Sequence, residues 1–274
     1  MKRFFALFAA LTLLCTGISA QTAACRTETG IAYRDAAGDG YVDSLCRLDI
    51  CWPADRKGFP TVVWFHGGGL TGGRREIPKA LCGKGFAVVG VDYRLAPRVK
   101  VADCVADAAA AAAWVVKNIA SYGGDPRLIF IAGHSAGGYL TSMIGLDKRW
   151  MAPYGIDPDT AFAALIPYSG QVVTHFARRR EMGIPDTQVV VDDMAPLNYI
   201  RPDCPPILIL SGDREREMLG RYEENAYFWR MMRVAGHPDV RIYEFDGFDH
   251  GNMPQAGHFA AVRYIREMER KMER

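Results

Sequence analysis

The junction around Ser135 is the feature that most constrains how this chain folds. An apolar run, 128–132, leads directly into Gly133-His134-Ser135-Ala136-Gly137, and a helical pattern follows. Small residues two places before and after a serine allow a sharp turn between strand and helix, which leaves the hydroxyl at the strand end. The pattern therefore predicts a nucleophile elbow, with Ser135 as the nucleophile and a helix N-terminus beside it.

Strand patterns alternate with helical patterns along most of the chain. Strands are predicted at 31–35, 45–51, 61–65, 86–93, 128–132, 162–168, 207–211 and 240–245. Helices are predicted at 77–83, 103–121, 136–146, 221–234 and 255–272. This alternation is typical of an α/β fold with a mostly parallel central sheet and helices on both faces. The irregular stretch 171–201 is expected to overhang the site but is too short for a large cap domain.

The N-terminus has the pattern of a secretory signal peptide. A basic start, Lys2-Arg3, precedes the apolar run 4–14, which is too short to span a bilayer. We assign 1–20 as the signal peptide, with cleavage between 20 and 24, and 25–274 as a single α/β domain of the expected size. Export to the periplasm or beyond is predicted, without stable membrane insertion after cleavage. Lipidation at Cys25 is the alternative.

Charge and cysteine content exclude several classes of partner. The 274 residues include 33 Lys and Arg against 31 Asp and Glu, so no basic surplus favours nucleic acid or anionic lipid. Six cysteines remain after the signal segment, which permits up to three disulfides in an exported protein. None has a C-x-x-C spacing, so no metal site is predicted. The oligomeric state stays open.

A serine nucleophile needs a histidine base, and the base needs an orienting carboxylate. His250 is the candidate base because, alone among the six histidines, it lies in a loop between a late strand and the last helix. The acid is expected in the turn 212–217. Glu215, three places after the glycine, is favoured; Asp213 is close behind and Glu217 is third.

The tetrahedral intermediate of acyl transfer needs N–H donors that converge on one oxygen. The loop His66-Gly67-Gly68-Gly69 follows the predicted strand 61–65, and its glycines allow close approach of the backbone to a substrate. The expected donors are the amides of Gly68, Gly69 and Ala136. A phosphate-binding loop is not favoured, because the chain lacks G-x-x-x-x-G-K-[ST].

Two other groups of residues are expected to be structural. Asp92-Tyr93-Arg94 ends a predicted strand beside the glycine loop and is expected to brace it. The run 178–180 contains three arginines, a pattern more typical of a solvated face than of an anion site.

Four motifs together resemble the α/β-hydrolase esterases, in the bacterial feruloyl-esterase-like (BD-FAE) and hormone-sensitive-lipase-like groups. They are Val63-Trp64-Phe65-His66-Gly67-Gly68-Gly69, Val91-Asp92-Tyr93-Arg94-Leu95-Ala96-Pro97, Tyr122-Gly123-Gly124-Asp125-Pro126 and Gly133-His134-Ser135-Ala136-Gly137-Gly138. The resemblance implies hydrolysis of carboxylic esters through an acyl-enzyme, with no cofactor. The implied substrate is a small ester or an esterified plant polysaccharide carrying acetyl or feruloyl groups.

The chain departs from these families at two places. Glu215 stands where they usually have an aspartate, and the long N-terminal cap of the hormone-sensitive-lipase-like group is missing from the pattern, which favours the feruloyl-esterase-like side. Two alternatives stay open: an amidase or peptidase of the same fold, and a catalytically silent binding protein.

Overall fold

The computed structural model describes residues 25–218 and 220–272. The predicted signal peptide lies outside these residues and stays a prediction. Within the described part of the chain, no helix has the length and apolarity needed to cross a membrane.

One eight-stranded sheet organises the described residues. Its strands are β1 Cys25–Ala32, β2 Arg47–Pro53, β3 Phe59–Phe65, β4 Ala87–Val91, β5 Gly124–His134, β6 Ala164–Tyr168, β7 Ile207–Gly212 and β8 Val240–Phe245. The strand order is β1-β2-β4-β3-β5-β6-β7-β8, antiparallel where β2 meets β1 and β4 and parallel elsewhere. The mostly parallel sheet predicted from the alternation is confirmed.

The helices lie on both faces of this sheet. They are α1 Gly40–Leu45, α2 Val101–Tyr122, α3 Ala136–Leu146, α4 Pro158–Ala161, α5 Phe176–Glu181, α6 Arg221–Val234 and α7 Met253–Met272. Successive β3 side chains point to opposite faces. Val63 and Phe65 therefore belong to the core shared with α2, α3 and α6, whereas Val62 and Trp64 belong to the core shared with α7. Burial on both faces explains why the central strands are apolar throughout.

Local structure differs from the sequence prediction at three places. The first strand spans Cys25–Ala32 and not 31–35, because its pairing with β2 begins at Cys25. No helix is predicted between the first two strands, yet residues 40–45 form α1, because the Asp39 side chain accepts hydrogen bonds from the amides of Tyr41 (2.8 Å) and Val42 (3.4 Å) and so caps a helix. The helix predicted at 77–83 is wrong. Residues 79–83 form turns, and Gly83 at the end of the stretch adopts a positive φ, which lies outside the helical range.

The segment between β6 and β7 contains α5 and a short 3₁₀ turn rather than a separate cap within the described residues. The arginine run lies in α5 and is structural. Arg179 is buried, and its guanidinium donates to the carbonyls of Asp186 (2.8 Å) and Gln188 (2.5 Å). Arg178 pairs with Glu181 at 2.9 Å. These contacts occupy the side chains that an anion site would need.

Buried cysteines belong to the core and not to the site. Cys46, Cys51, Cys104 and Cys204 are free, buried thiols. Burial raises the pKa of Cys46 to about 11 and that of Cys104 to about 12. A thiol with such a pKa is a poor nucleophile at neutral pH.

Candidate active site

The turn at Ser135 has the strained geometry expected of an elbow. Ser135 has φ 56° and ψ −113°, a conformation that costs a non-glycine residue about 1–3 kcal/mol. Its amide donates to the Tyr168 carbonyl at 2.8 Å, which ties the turn to β6. A Cβ on Gly137 would lie 2.0 Å from the Phe65 carbonyl oxygen. Glycine is therefore required where α3 crosses the end of β3.

The base predicted from the sequence lies beside the predicted nucleophile. His250 is in the loop between β8 and α7, and its Nε2 is 2.8 Å from Ser135 Oγ. Ser135 and His250 are separated by 115 positions in the chain. They meet because the carboxyl ends of the parallel strands β5 and β8 lie at the same end of the sheet.

The carboxylate that contacts His250 belongs to Glu217, not to Glu215 or Asp213. Glu217 Oε1 accepts a short hydrogen bond from His250 Nδ1. Its Oε2 accepts from Ser169 Oγ and from the amide of Gly212, the latter at 3.1 Å. The expectation that Glu215 or Asp213 orients the base is therefore corrected: the third-ranked acid makes the contact.

The shape of the turn explains the correction. The amides of Arg216 (3.0 Å) and Glu217 (2.8 Å) both donate to the Asp213 carbonyl, so the chain makes one helical turn after β7. Residues four apart lie on the same side of such a turn. The turn therefore places the Glu217 side chain over the end of β7, whereas Glu215 points outwards and is exposed.

Asp213 braces the loop that carries the base. Its Oδ2 accepts from the Gly247 amide at 2.7 Å, and its own amide donates to the Phe248 carbonyl at 2.8 Å. The hydrogen bonds to the amides of Gly247 and Glu215 lower the pKa of Asp213. The residue thus connects the turn after β7 with the turn after β8.

The charge state of Glu217 determines which ring nitrogen of His250 carries the proton. Burial acts to raise its pKa, but hydrogen bonds from His250 and Ser169 outweigh this effect and lower the pKa to about 2. Glu217 is therefore ionised at neutral pH and accepts a hydrogen bond from the Nδ1–H group of His250. Nε2 then carries a lone pair and accepts the hydroxyl proton of Ser135, as a general base must.

The glycine loop lies against the elbow. A Cβ on Gly67 would be 3.4 Å from the Ser135 Cβ, and Gly68 and Gly69 follow with φ of 109° and 64°. A Cβ on Gly68 would lie 2.3 Å from the Gly72 carbonyl oxygen. Ala136 is the first residue of α3, where helix amides have no intrahelical acceptor.

Buried polar contacts hold this loop, as expected for Asp92-Tyr93-Arg94. The His66 ring stacks on Tyr93 with centroids 4.4 Å apart, and the Tyr93 hydroxyl donates to the His66 carbonyl at 2.9 Å. Asp92 accepts from Arg75 Nη1 at 2.6 Å. Arg94 forms a two-pronged ion pair with Asp107, which is fully buried. The His66 end of the glycine loop is thereby fixed to the segment that follows β4.

The N-terminal half of α6 holds the chain that leaves β6. Glu224 Oε2 accepts from the amides of Val172 and Val173, each at 3.1 Å. Arg221 pairs with Glu224 at 2.8 Å and also donates to the Ser169 carbonyl. These contacts fix the backbone at Ser169, the residue that touches Glu217.

Sequence reasoning missed two contributors, Ser169 and His134. Ser169 has φ 46° and follows β6, but no pattern in the sequence marks it. In the sequence His134 is only a member of the motif around Ser135, yet its Nε2 is 2.8 Å from the His250 carbonyl oxygen. The remaining histidines make other contacts; His237, for example, donates to the Cys204 carbonyl at 3.0 Å. Among residues 25–218 and 220–272, no cluster of His, Cys, Asp or Glu is suited to a metal ion.

Comparisons with known proteins agree with this geometry. Residues 48–163 match the BD-FAE family model. Esterase LipQ of Mycobacterium tuberculosis is 29% identical over 240 residues, 80% of this chain and 56% of LipQ. A probable isoprenylcysteine alpha-carbonyl methylesterase, ICMEL1 of Oryza sativa, is 40% identical over 234 residues, 76% of this chain and 54% of the rice protein.

A solved structure extends the similarity to the whole fold. Thermogutta terrifontis esterase 2, phosphonylated by cyclosarin, aligns with a TM-score of 0.70 and 27% identity, over 88% of this chain and 94% of that one. The chain spans slightly more than half the length of LipQ and of ICMEL1. The elbow, the strand order and this likeness show that the chain has the α/β-hydrolase fold, and residues 48–163 of it match the BD-FAE family.

Proposed function

We propose that the protein is a serine carboxylesterase. The observation that carries the proposal is the continuous arrangement of Ser135, His250 and Glu217, in which Ser135 Oγ is 2.8 Å from a histidine nitrogen whose other nitrogen contacts a buried carboxylate. Relatives and solved neighbours named as esterases support ester rather than amide substrates.

In the proposed reaction, Ser135 Oγ attacks the ester carbonyl carbon while His250 Nε2 accepts the hydroxyl proton. Glu217 stabilises the resulting imidazolium. The amides of Gly68, Gly69 and Ala136 donate to the oxyanion, and collapse of the intermediate transfers the proton from His250 to the departing alcohol. Water, deprotonated by His250, then attacks the acyl-serine, and Ser135 leaves with the proton.

The first experiment compares wild type with Ser135→Ala on nitrophenyl esters of increasing acyl length. Ser142→Ala is the matched control, because Ser142 is a buried serine on α3, the helix that follows Ser135, and its hydroxyl donates to the Gly138 carbonyl at 3.1 Å. Turnover that persists in Ser142→Ala and is lost in Ser135→Ala supports the proposal. Equal turnover in wild type and Ser135→Ala contradicts it.

Phosphonate labelling tests the nucleophile without a choice of ester. Thermogutta terrifontis esterase 2 has been solved phosphonylated, which supports the use of such a reagent on a related fold. A fluorophosphonate is expected to add to Ser135 in wild type and to leave Ser135→Ala unmodified. Folded wild type that is not labelled and hydrolyses no ester would support a silent binding protein. Turnover of anilides but not esters would support the amidase or peptidase alternative.

We further propose that the protein is exported and removes acetyl or feruloyl groups from plant polysaccharides. The N-terminal pattern of 1–24 supports export. Activity on acetylated xylan and methyl ferulate, compared with simple nitrophenyl esters, tests the substrate. Mass spectrometry of the N-terminus of protein from the periplasmic fraction tests cleavage between 20 and 24; an intact N-terminus or a lipid on Cys25 would contradict that cleavage.

A further inference from the structure

The site contains a histidine that the proposed mechanism does not use. His134 ends β5 directly before the nucleophile, and its Nε2 lies 2.8 Å from the backbone carbonyl oxygen of His250. Because a carbonyl oxygen can only accept, the proton must be on Nε2 of His134. The two imidazole rings lie with centroids 4.8 Å apart at 40°.

The surroundings of His134 keep this tautomer neutral. Burial, followed by the positive charge that His250 can carry, lowers the pKa of His134 to about 4. A Cβ on Gly67 would lie 3.3 Å from His134 Nδ1, so the ring lies beside the glycine loop as well as the His250 loop. A neutral ring here adds no second positive charge next to the imidazolium that forms on His250 during the reaction.

The hydrogen bond from His134 is distinct from the other anchors of the His250 loop. Asp213 binds the loop at Gly247 and Phe248, before the base. Asp249 Oδ1 accepts from the amides of Gly251 and Asn252, each at 2.9 Å, but these bonds lie within the loop itself. Among the described residues, His134 is the one that contacts the His250 carbonyl, and it comes from the strand that carries Ser135.

We propose that His134 is a positioning residue that fixes His250 against Ser135 through the peptide carbonyl of His250. The inference rests on the proposed function, since it concerns the same nucleophile and base. This hydrogen bond joins the peptide unit of His250 to β5, the strand that leads into Ser135. The distance between His250 Nε2 and Ser135 Oγ therefore does not depend on the β8–α7 loop alone. Positioning errors of about 1 Å at such a contact can cost about 100-fold in rate.

Two substitutions separate the hydrogen bond from the volume of the side chain. His134→Phe keeps a planar ring and removes the donor, whereas His134→Gln keeps an N–H of similar reach. We expect His134→Phe to lower kcat by about 10- to 100-fold with little change in KM, and His134→Gln to recover most of this loss. The rate of phosphonylation of Ser135 is expected to follow kcat.

His237→Phe is the matched control. It removes a comparable bond, from His237 Nε2 to the Cys204 carbonyl at 3.0 Å, at a buried site that is not part of the triad. Loss of stability without loss of kcat is expected there. A wild-type kcat in His134→Phe would overturn the proposal, and so would equal losses of kcat in His134→Gln and His134→Phe. The proposal also fails if the fraction of unfolded protein in His134→Phe accounts for the whole loss of kcat.

Crystal structures of the variants supply a readout that does not depend on activity. In His134→Phe, the distance between His250 Nε2 and Ser135 Oγ is expected to exceed hydrogen-bonding range, and in His134→Gln it is expected to stay near 2.8 Å. An unmoved His250 in His134→Phe overturns the positioning role. Wild type that neither hydrolyses esters nor reacts with a phosphonate contradicts the proposed function instead, and the crystal structures still decide the role of His134.

Discussion

Ser169 donates its hydroxyl proton to Oε2 of Glu217, while the other carboxylate oxygen, Oε1, contacts Nδ1 of His250. The carboxylate is thus held at both oxygens, and Ser169 adopts the left-handed backbone conformation to reach it. Strain at a residue that touches the acid of a site is a recurrent feature of functional geometry.

Removal of the Ser169 hydroxyl should change how stability depends on pH. The pKa of Glu217 is lowered from 4.5 to about 2, so its ionised form stabilises the fold above about pH 4.5, and this contribution is lost as the pH falls towards 2. In Ser169→Ala the pKa of Glu217 should rise towards 4.5, so the loss of stability on acidification should be smaller and should end at a higher pH. Urea unfolding between pH 6 and 2.5 measures the difference.

The control for this experiment is Ser211→Ala. Ser211 is buried in β7, and its hydroxyl has no hydrogen-bond partner among the described residues. Its removal should leave the shape of the pH dependence unchanged. The same acid-side shift in both variants would contradict the assignment of the effect to Glu217.

Substitution of the acid should separate Glu217 from its neighbours in the turn. Glu217→Gln keeps the size of the side chain but cannot stabilise the imidazolium, so kcat should fall by about 10²- to 10⁴-fold. Glu215→Gln removes the exposed carboxylate that the sequence favoured and should retain wild-type kcat. Steady-state kinetics on one nitrophenyl ester is the measurement. A larger loss in Glu215→Gln than in Glu217→Gln would reverse the assignment.

A methyl group at the elbow should destabilise the fold. In Gly137→Ala the added Cβ would lie 2.0 Å from the Phe65 carbonyl oxygen, so β3 and α3 would have to separate. We expect a loss of about 3 kcal/mol or more in the free energy of unfolding. Gly40→Ala is the matched control, because a Cβ there meets nothing within 4 Å. Chemical denaturation that shows equal stability for the two variants would contradict the close approach.

The ion pair between Arg75 and Asp92, which lies near the glycine loop, should contribute to both stability and turnover. Arg75→Met leaves buried Asp92 without its guanidinium partner, so the free energy of unfolding should fall by about 1–3 kcal/mol and kcat should fall with it. Arg74→Met removes the neighbouring exposed arginine and should alter neither quantity. Unchanged kcat in Arg75→Met would show that the loop holds its shape without this ion pair.

The sequence was sufficient to predict the fold class and two of the three triad side chains. Ser135 is marked by its glycines, and His250 by its place between the last strand and the last helix. Both signals are local in the chain. The acid was misassigned because counting from Gly212 treats the turn as extended, whereas hydrogen bonds to the Asp213 carbonyl wind it into one helical turn.

Contacts between distant segments were beyond the reach of sequence patterns. Ser169 and Glu217 lie 48 positions apart, and no sequence motif at either position predicts the contact between them. The bond from His134 to the His250 carbonyl involves a main-chain atom, which has no signature in residue type. Such contacts follow from the strand order, which places the ends of β5, β6, β7 and β8 side by side.

The strand order also divides the site between two regions of one sheet. The nucleophile and the glycine loop belong to the central pair β3 and β5, whereas the acid and the base follow β7 and the edge strand β8. Edge elements open more readily than central ones in native proteins. On heating, the β8 edge that carries His250 should therefore open before the elbow at Ser135 unfolds. Hydrogen exchange should show amides of β8 losing protection at a lower temperature than amides of β5.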